Sequence, residues 1–128
     1  MGIHSEAAMY MKLVDLAKQM NLYLNHFPKH EKYGLCQEMR QCLYRMVGLF
    51  VEAQKRFHKK TTLGQLDIEH EKLRWFVNLA HDLGYFSFSN GKRDDDAPAR
   101  FITISAMVDE VGRMLGGWIN HQRVQEGP

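Results

Sequence analysis

The chain has 128 residues, 45% hydrophobic and 25% charged, with a net charge of +2. That length suits one domain burying its core without disulfides or metal, and the composition is that of a soluble globular protein. No apolar run approaches the roughly 20 residues of a membrane span, and the N-terminus lacks a signal peptide's basic start and apolar centre, so the cytoplasm is the expected compartment.

Four helices follow from the apolar period, within one domain over residues 1–128. The first spans about residues 6–27, where Met9, Leu13, Leu16, Met20, Tyr23 and Phe27 recur at steps of three and four. Pro28 ends it, because the residue before proline is biased away from the helical region. The second spans about residues 31–58, with a stripe of Leu35, Met39, Cys42, Met46, Phe50, Ala53 and Phe57. The third spans about residues 65–84, with Leu66, Leu73, Phe76, Ala80 and Leu83 on one face and Gly84 as a C-terminal cap. Residues 87–99, with Asn90-Gly91, three aspartates and Pro98, read as a solvated loop, and no strand pattern competes. The fourth helix, about residues 98–121, carries the most regular seam: Phe101, Ile104, Val108, Val111, Leu115 and Trp118. The expected fold is all-α, an antiparallel up-down four-helix bundle.

Further apolar residues lie outside these stripes, among them Leu22, Tyr44, Val51, Trp75, Leu79 and Met114. A second buried face of that extent points to a homo-oligomer. The fourth helix also holds Gly112, Gly116 and Gly117. Each costs about 1 kcal/mol relative to alanine in a helix interior, so close packing against another backbone is the expected compensation, with Trp118 beside them. Arg113, one turn after Asp109, reads as half of an ordinary helix ion pair.

Chemistry is sparse. Cys36 and Cys42, six residues apart, point about 120° from coincidence on one helix and read as buried free thiols. Asp67 and His70 have the spacing of a carboxylate-bridged metal site, but the second copy such sites need is missing. No metal or cofactor is expected. Nor is there a nucleophile motif or a glycine-rich phosphate loop, and an enzyme is not expected.

Charge is regional. Residues 29–60 hold eight basic and three acidic residues, a local +5 in a chain of +2 overall. The run Lys55-Arg56-Phe57-His58-Lys59-Lys60 closes the second helix. The helix macrodipole favours one or two cations at its C-terminus, but four plus a histidine exceed that need. The run reads either as a solvated surface or as a phosphate-backbone contact.

Two segments are recognisable. Leu73-Arg74-Trp75-Phe76-Val77-Asn78-Leu79-Ala80 and the run from Val108-Asp109-Glu110-Val111-Gly112 to Gly116-Gly117-Trp118-Ile119 resemble the accessory variability determinant (Avd) proteins of diversity-generating retroelements. The segment from Phe27-Pro28 to Gly34-Leu35 is similar to a wider group of four-helix-bundle proteins, including those encoded in intervening sequences of bacterial 23S ribosomal RNA genes. A structural or interaction role of that second type is the alternative reading.

The Avd resemblance implies a non-catalytic homopentameric barrel of bundles, encoded by a bacterium, archaeon or phage. It would bind the retroelement's reverse transcriptase and template RNA, with cDNA a further possible ligand, and support mutagenic copying. Carried over by position, Arg74 and Arg113 would be basic contact residues. Members often carry a second arginine four residues after the first. This chain has Asn78 there, which moves the expected nucleic-acid surface toward Lys55, Arg56, Lys59 and Lys60.

Overall fold

Apolar side chains spaced three and four apart fold into four helices, each presenting one stripe to a common core. The computed structural model describes residues 3–90, 92–93 and 97–126. The helices are α1 (Ile3–Leu24), α2 (Leu35–Lys55), α3 (Lys60–Asp82) and α4 (Ala97–Glu126). Each packs on its sequence neighbours, and α4 closes the ring against α1. The run is antiparallel: Tyr10 stacks near Phe50 while Asn21, a few turns on, reaches Tyr44. Likewise His81 stacks on Phe101 at 4.0 Å, and Arg74 meets Asp109 at 3.8 Å. None of the described helices is long and apolar enough to cross a membrane.

Met9, Leu13, Leu16 and Met20 of α1, Met39, Leu43 and Met46 of α2, Leu66 and Leu73 of α3, and Ile104, Val111 and Leu115 of α4 are fully buried. Each such side chain stabilises the fold by roughly 1.5–3 kcal/mol through burial. Cys36 and Cys42 are buried free thiols, as their spacing indicates. Burial pushes the Cys42 thiol up to about 11, with the Glu69 carboxylate adding to the effect.

The helix ends differ from the sequence pattern, each for a local reason. After Pro28 the chain makes a short 3-10 turn at Lys29–Glu31, and α2 begins only at Leu35. There the Glu31 carboxylate folds back to accept the Leu35 N–H at 3.3 Å and the Tyr85 hydroxyl at 2.6 Å. A side chain at Gly34 would collide with that carboxylate. Downstream, α2 stops at Lys55 rather than at residue 58, and α3 starts at Lys60, five residues before the expected 65.

The described residues between α3 and α4 hold more regular structure than a solvated loop. Gly84, in the left-handed region at φ 76°, leads into a 3-10 turn, Tyr85–Ser87. A two-residue antiparallel pair follows, β1 (Phe88–Ser89) with β2 (Lys92–Arg93), where no strand was expected. Asn90, at φ 54°, opens the turn between them, and its N–H donates to His26 Nδ1 at 2.9 Å. Buried Phe86 meets Phe27 edge to face, and Arg100 donates to the carbonyls of Phe86 and Phe88. The three aspartates, residues 94–96, lie outside the described residues.

Candidate nucleic-acid interface

The basic run forms the corner between α2 and α3, at the end of the bundle where α1 starts and α4 finishes. Its four cations have different employments. Lys59 turns inward, and its Nζ donates to the carbonyls of Ala53, Gln54 and Arg56 at 2.5, 3.1 and 2.7 Å. Those are end carbonyls of α2 and its cap, left without intrahelical donors. A charged donor there both satisfies them and meets the negative end of the helix dipole.

Arg56 is exposed and binds Glu52 through Nε at 2.8 Å and Nη2 at 2.5 Å. An exposed pair of this kind contributes about 0–1 kcal/mol, so the guanidinium can be exchanged to another anion at little cost. Lys55 and Lys60 are exposed, with no ion pair among the described residues. Lys60 opens α3, whose first turn has no acidic residue and whose N-cap supplies no side-chain hydrogen bond. A cation at the positive end of a helix is electrostatically out of place, so no helix-stabilising effect accounts for it.

Phe57 departs furthest from the sequence pattern. The second-helix stripe assigned it to the core, yet it is 88% exposed, the most open of the large apolar side chains described. The cause is the early end of α2. Arg56 adopts an extended conformation (φ −75°, ψ 141°), so the helical period lapses one residue before Phe57. His58 meets its ring edge to face at 4.9 Å.

Arg74 and Arg113 lie elsewhere. Arg74 is about 20 Å along α3 from Lys60, at 1.5 Å per residue. It sits over the α3–α4 seam between Asp109 at 3.8 Å and Glu71 at 4.0 Å. The expected Asp109–Arg113 pair does not form, because Asp109 turns across the seam to Arg74. Arg113 is exposed, with no ion pair among the described residues. The six expected contact residues thus fall into a corner of four, one seam position at Arg74, and Arg113 apart from both on the exposed face of α4.

The glycines divide similarly. At Gly112 a Cβ would stand 2.7 Å from His70 Cε1 and 2.9 Å from its Nε2. The close approach expected there is made by a side chain of α3 and not by another backbone. His70, 2% exposed, uses the gap to donate its Nε2–H to the Val108 carbonyl at 2.8 Å. Around Gly116 and Gly117, apart from the adjoining residues and the helix's own backbone, no atom of the described residues comes within 4 Å of a Cβ position. Trp118 is buried edge-on to Phe50, its Nε1–H without an acceptor among the described residues.

Sequence reasoning missed His70 in this role, although a glycine four residues after Val108 was the available signal. It also missed buried Glu69, whose Oε1 accepts from Arg45 at 3.3 Å and Lys72 at 3.5 Å. Those contacts remove Arg45 from the free positive surface. No group of three His, Cys, Asp or Glu side chains able to hold a metal occurs among the described residues.

Fold and corner together define a small four-helix-bundle protein with a cationic end. Residues 8–122 match the model of the bAvd-like family, and the chain belongs to that family. This makes it an Avd-like accessory protein of a diversity-generating retroelement, a non-catalytic kind of protein. No match is found among curated proteins.

Proposed function

We propose that the chain is the subunit of a ring-shaped assembly that holds template RNA against the reverse transcriptase of its retroelement and so supports mutagenic cDNA synthesis. Family membership over residues 8–122 is the observation that carries this reading. The corner supports it physically: Lys55 and Lys60 are uncommitted to ion pairs among the described residues and Arg56 is only weakly committed. Phosphate contact by such cations is sequence-independent and salt-sensitive.

The exposed apolar surface supports assembly. A closed ring of identical subunits needs two different, complementary faces on each, and α1 and α3 stand diagonally across the bundle. On α3, Ile68, Trp75 and Leu79 point outward, Trp75 at 65% exposure. On the other side a groove of about 380 Å³ runs between α1 and α2, lined by Tyr10, Val14, Ala17, Tyr44 and Val47 among others. A second copy presenting α3 to that groove would cover both faces, and five repeats of the contact would close the pentamer that the family resemblance implies.

The test is co-expression with the neighbouring reverse transcriptase and its template RNA. The expected result is a stable ternary complex whose RNA contact weakens with salt and with Lys55→Ala/Lys60→Ala. A chain that purifies alone, and whose loss leaves cDNA synthesis unchanged, would refute the reading.

A further inference from the structure

We propose that Phe57 is a stacking platform for an unpaired base, so that the corner between α2 and α3 selects single-stranded over double-stranded nucleic acid. The inference rests on the reading of that corner as a phosphate-binding surface and adds to it a choice of strand state.

Three observations carry it. The first is exposure: a phenylalanine 88% open to solvent has no role in the chain's own core. Its ring meets His58 at 86°, so no parallel partner from that neighbour occupies it. The second is fixation. Phe57 lies inside the turn that Lys59 ties to three carbonyls, one of them that of Arg56, the preceding residue. The ring is therefore carried on a held backbone. The third is company. Lys55 and Arg56 precede the ring, and His58, Lys59 and Lys60 follow it.

That company decides among possible partners. Cores of protein–protein contacts are depleted of charge, whereas grooves for single strands combine cations for the backbone with aromatic rings for the bases. A duplex hides its base faces in the stack. A protruding ring therefore gains from a single strand and not from a duplex, while the lysines gain from both.

The probes are a short uridine- and adenine-containing RNA strand, the same strand paired to its complement, and an abasic strand of equal length. Binding is read by fluorescence anisotropy at several salt concentrations. Phe57→Ala should weaken the single strand about 5- to 150-fold, the range for loss of one stacked base. It should leave duplex affinity and salt slope unchanged. Phe57→Trp should retain or raise single-strand affinity. The abasic strand should bind the parent protein as weakly as the intact strand binds Phe57→Ala.

Unchanged single-strand affinity in Phe57→Ala, with binding weakened in Lys55→Ala/Lys60→Ala, would overturn the stacking inference and leave the corner standing. Unchanged binding in the lysine variant would overturn the corner itself. A Phe57→Ala protein that changes subunit number, or loses affinity for anionic vesicles and not for RNA, would assign the ring to another partner and also overturn the proposal. Equal thermal midpoints of parent and variants show that each variant folds.

Discussion

His70 reaches Val108 through the space that Gly112 leaves open. In a regular helix the Val108 carbonyl faces the amide four residues on, and a side chain at that position would cover the approach to its second lone pair. With Gly112 there, the imidazole comes within 2.8 Å of the oxygen and remains 2% exposed. The glycine's propensity cost is thereby offset by a buried hydrogen bond between α3 and α4.

Gly112→Ala should consequently destabilise the protein, although alanine is the better helix former by about 1 kcal/mol. The added methyl meets the imidazole at 2.7 Å, and overpacking of this kind costs roughly 1–3 kcal/mol. Gly116→Ala, facing open space, should move the urea midpoint the other way. Adding His70→Ala to Gly112→Ala should recover part of the loss as a coupling energy. A Gly112→Ala midpoint at or above the parent's would show that the imidazole yields freely.

Lys59→Met, which keeps the apolar stem and removes the ammonium, should lower stability by about 1.5–3 kcal/mol, the scale of hydrogen bonds to a charged group. Lys55→Ala and Lys60→Ala should stay within about 0.5 kcal/mol of the parent. Chemical denaturation of the three variants separates them. Equal stabilities would mean that Lys59 is as free as its neighbours.

How much of this was legible beforehand differs by feature. The stripes of α1 and α4 were readable because a helical period repeats many times, and a few exceptions do not blur it. The end of α2 was not. Phe57 continues the period, but the backbone turns extended at Arg56, and the carbonyls freed there are met by a lysine ammonium from outside the helix, a contact without periodicity. For the same reason four similar cations looked equivalent, while the turn assigns Lys59 to the backbone and Arg56 to Glu52. The strand pair at Phe88–Ser89 was too short for alternation to show. The face of Gly112 was visible, but its partner required knowing which α3 side chain comes level with it.

Acid should weaken the junction before α2. The hydrogen bond from Tyr85, chiefly, holds the Glu31 carboxyl below its ordinary value, with the Leu35 N–H and His30 also contributing. A depressed carboxyl stabilises fully above its unfolded value, near 4.3, and loses that contribution as pH falls through the lower folded value. Glu31→Gln should flatten this limb of a melting-temperature profile. Tyr85 is raised by the same bond, so its share is present below about pH 10 and is lost as pH rises through the higher folded value. Identical acid limbs in parent and Glu31→Gln would contradict this assignment.

Trp75→Glu tests the proposed ring contact without touching the core. The indole is 65% exposed, and its Nε1–H donates to Glu71 of its own helix at 3.0 Å. Light scattering should show the parent as an oligomer and the variant at or near the mass of one subunit, with helical content retained. A monomeric parent would contradict assembly, and an intact variant oligomer would move the contact off this face of α3.

Lys59 has one further consequence. A turn tied at three carbonyls keeps its shape with or without a ligand, so association at this corner would order little additional chain. The conformational entropy that a mobile basic loop forfeits on binding is here already forfeited on folding. Binding should accordingly show a heat-capacity change set by the contact area alone, without the larger signature of coupled folding.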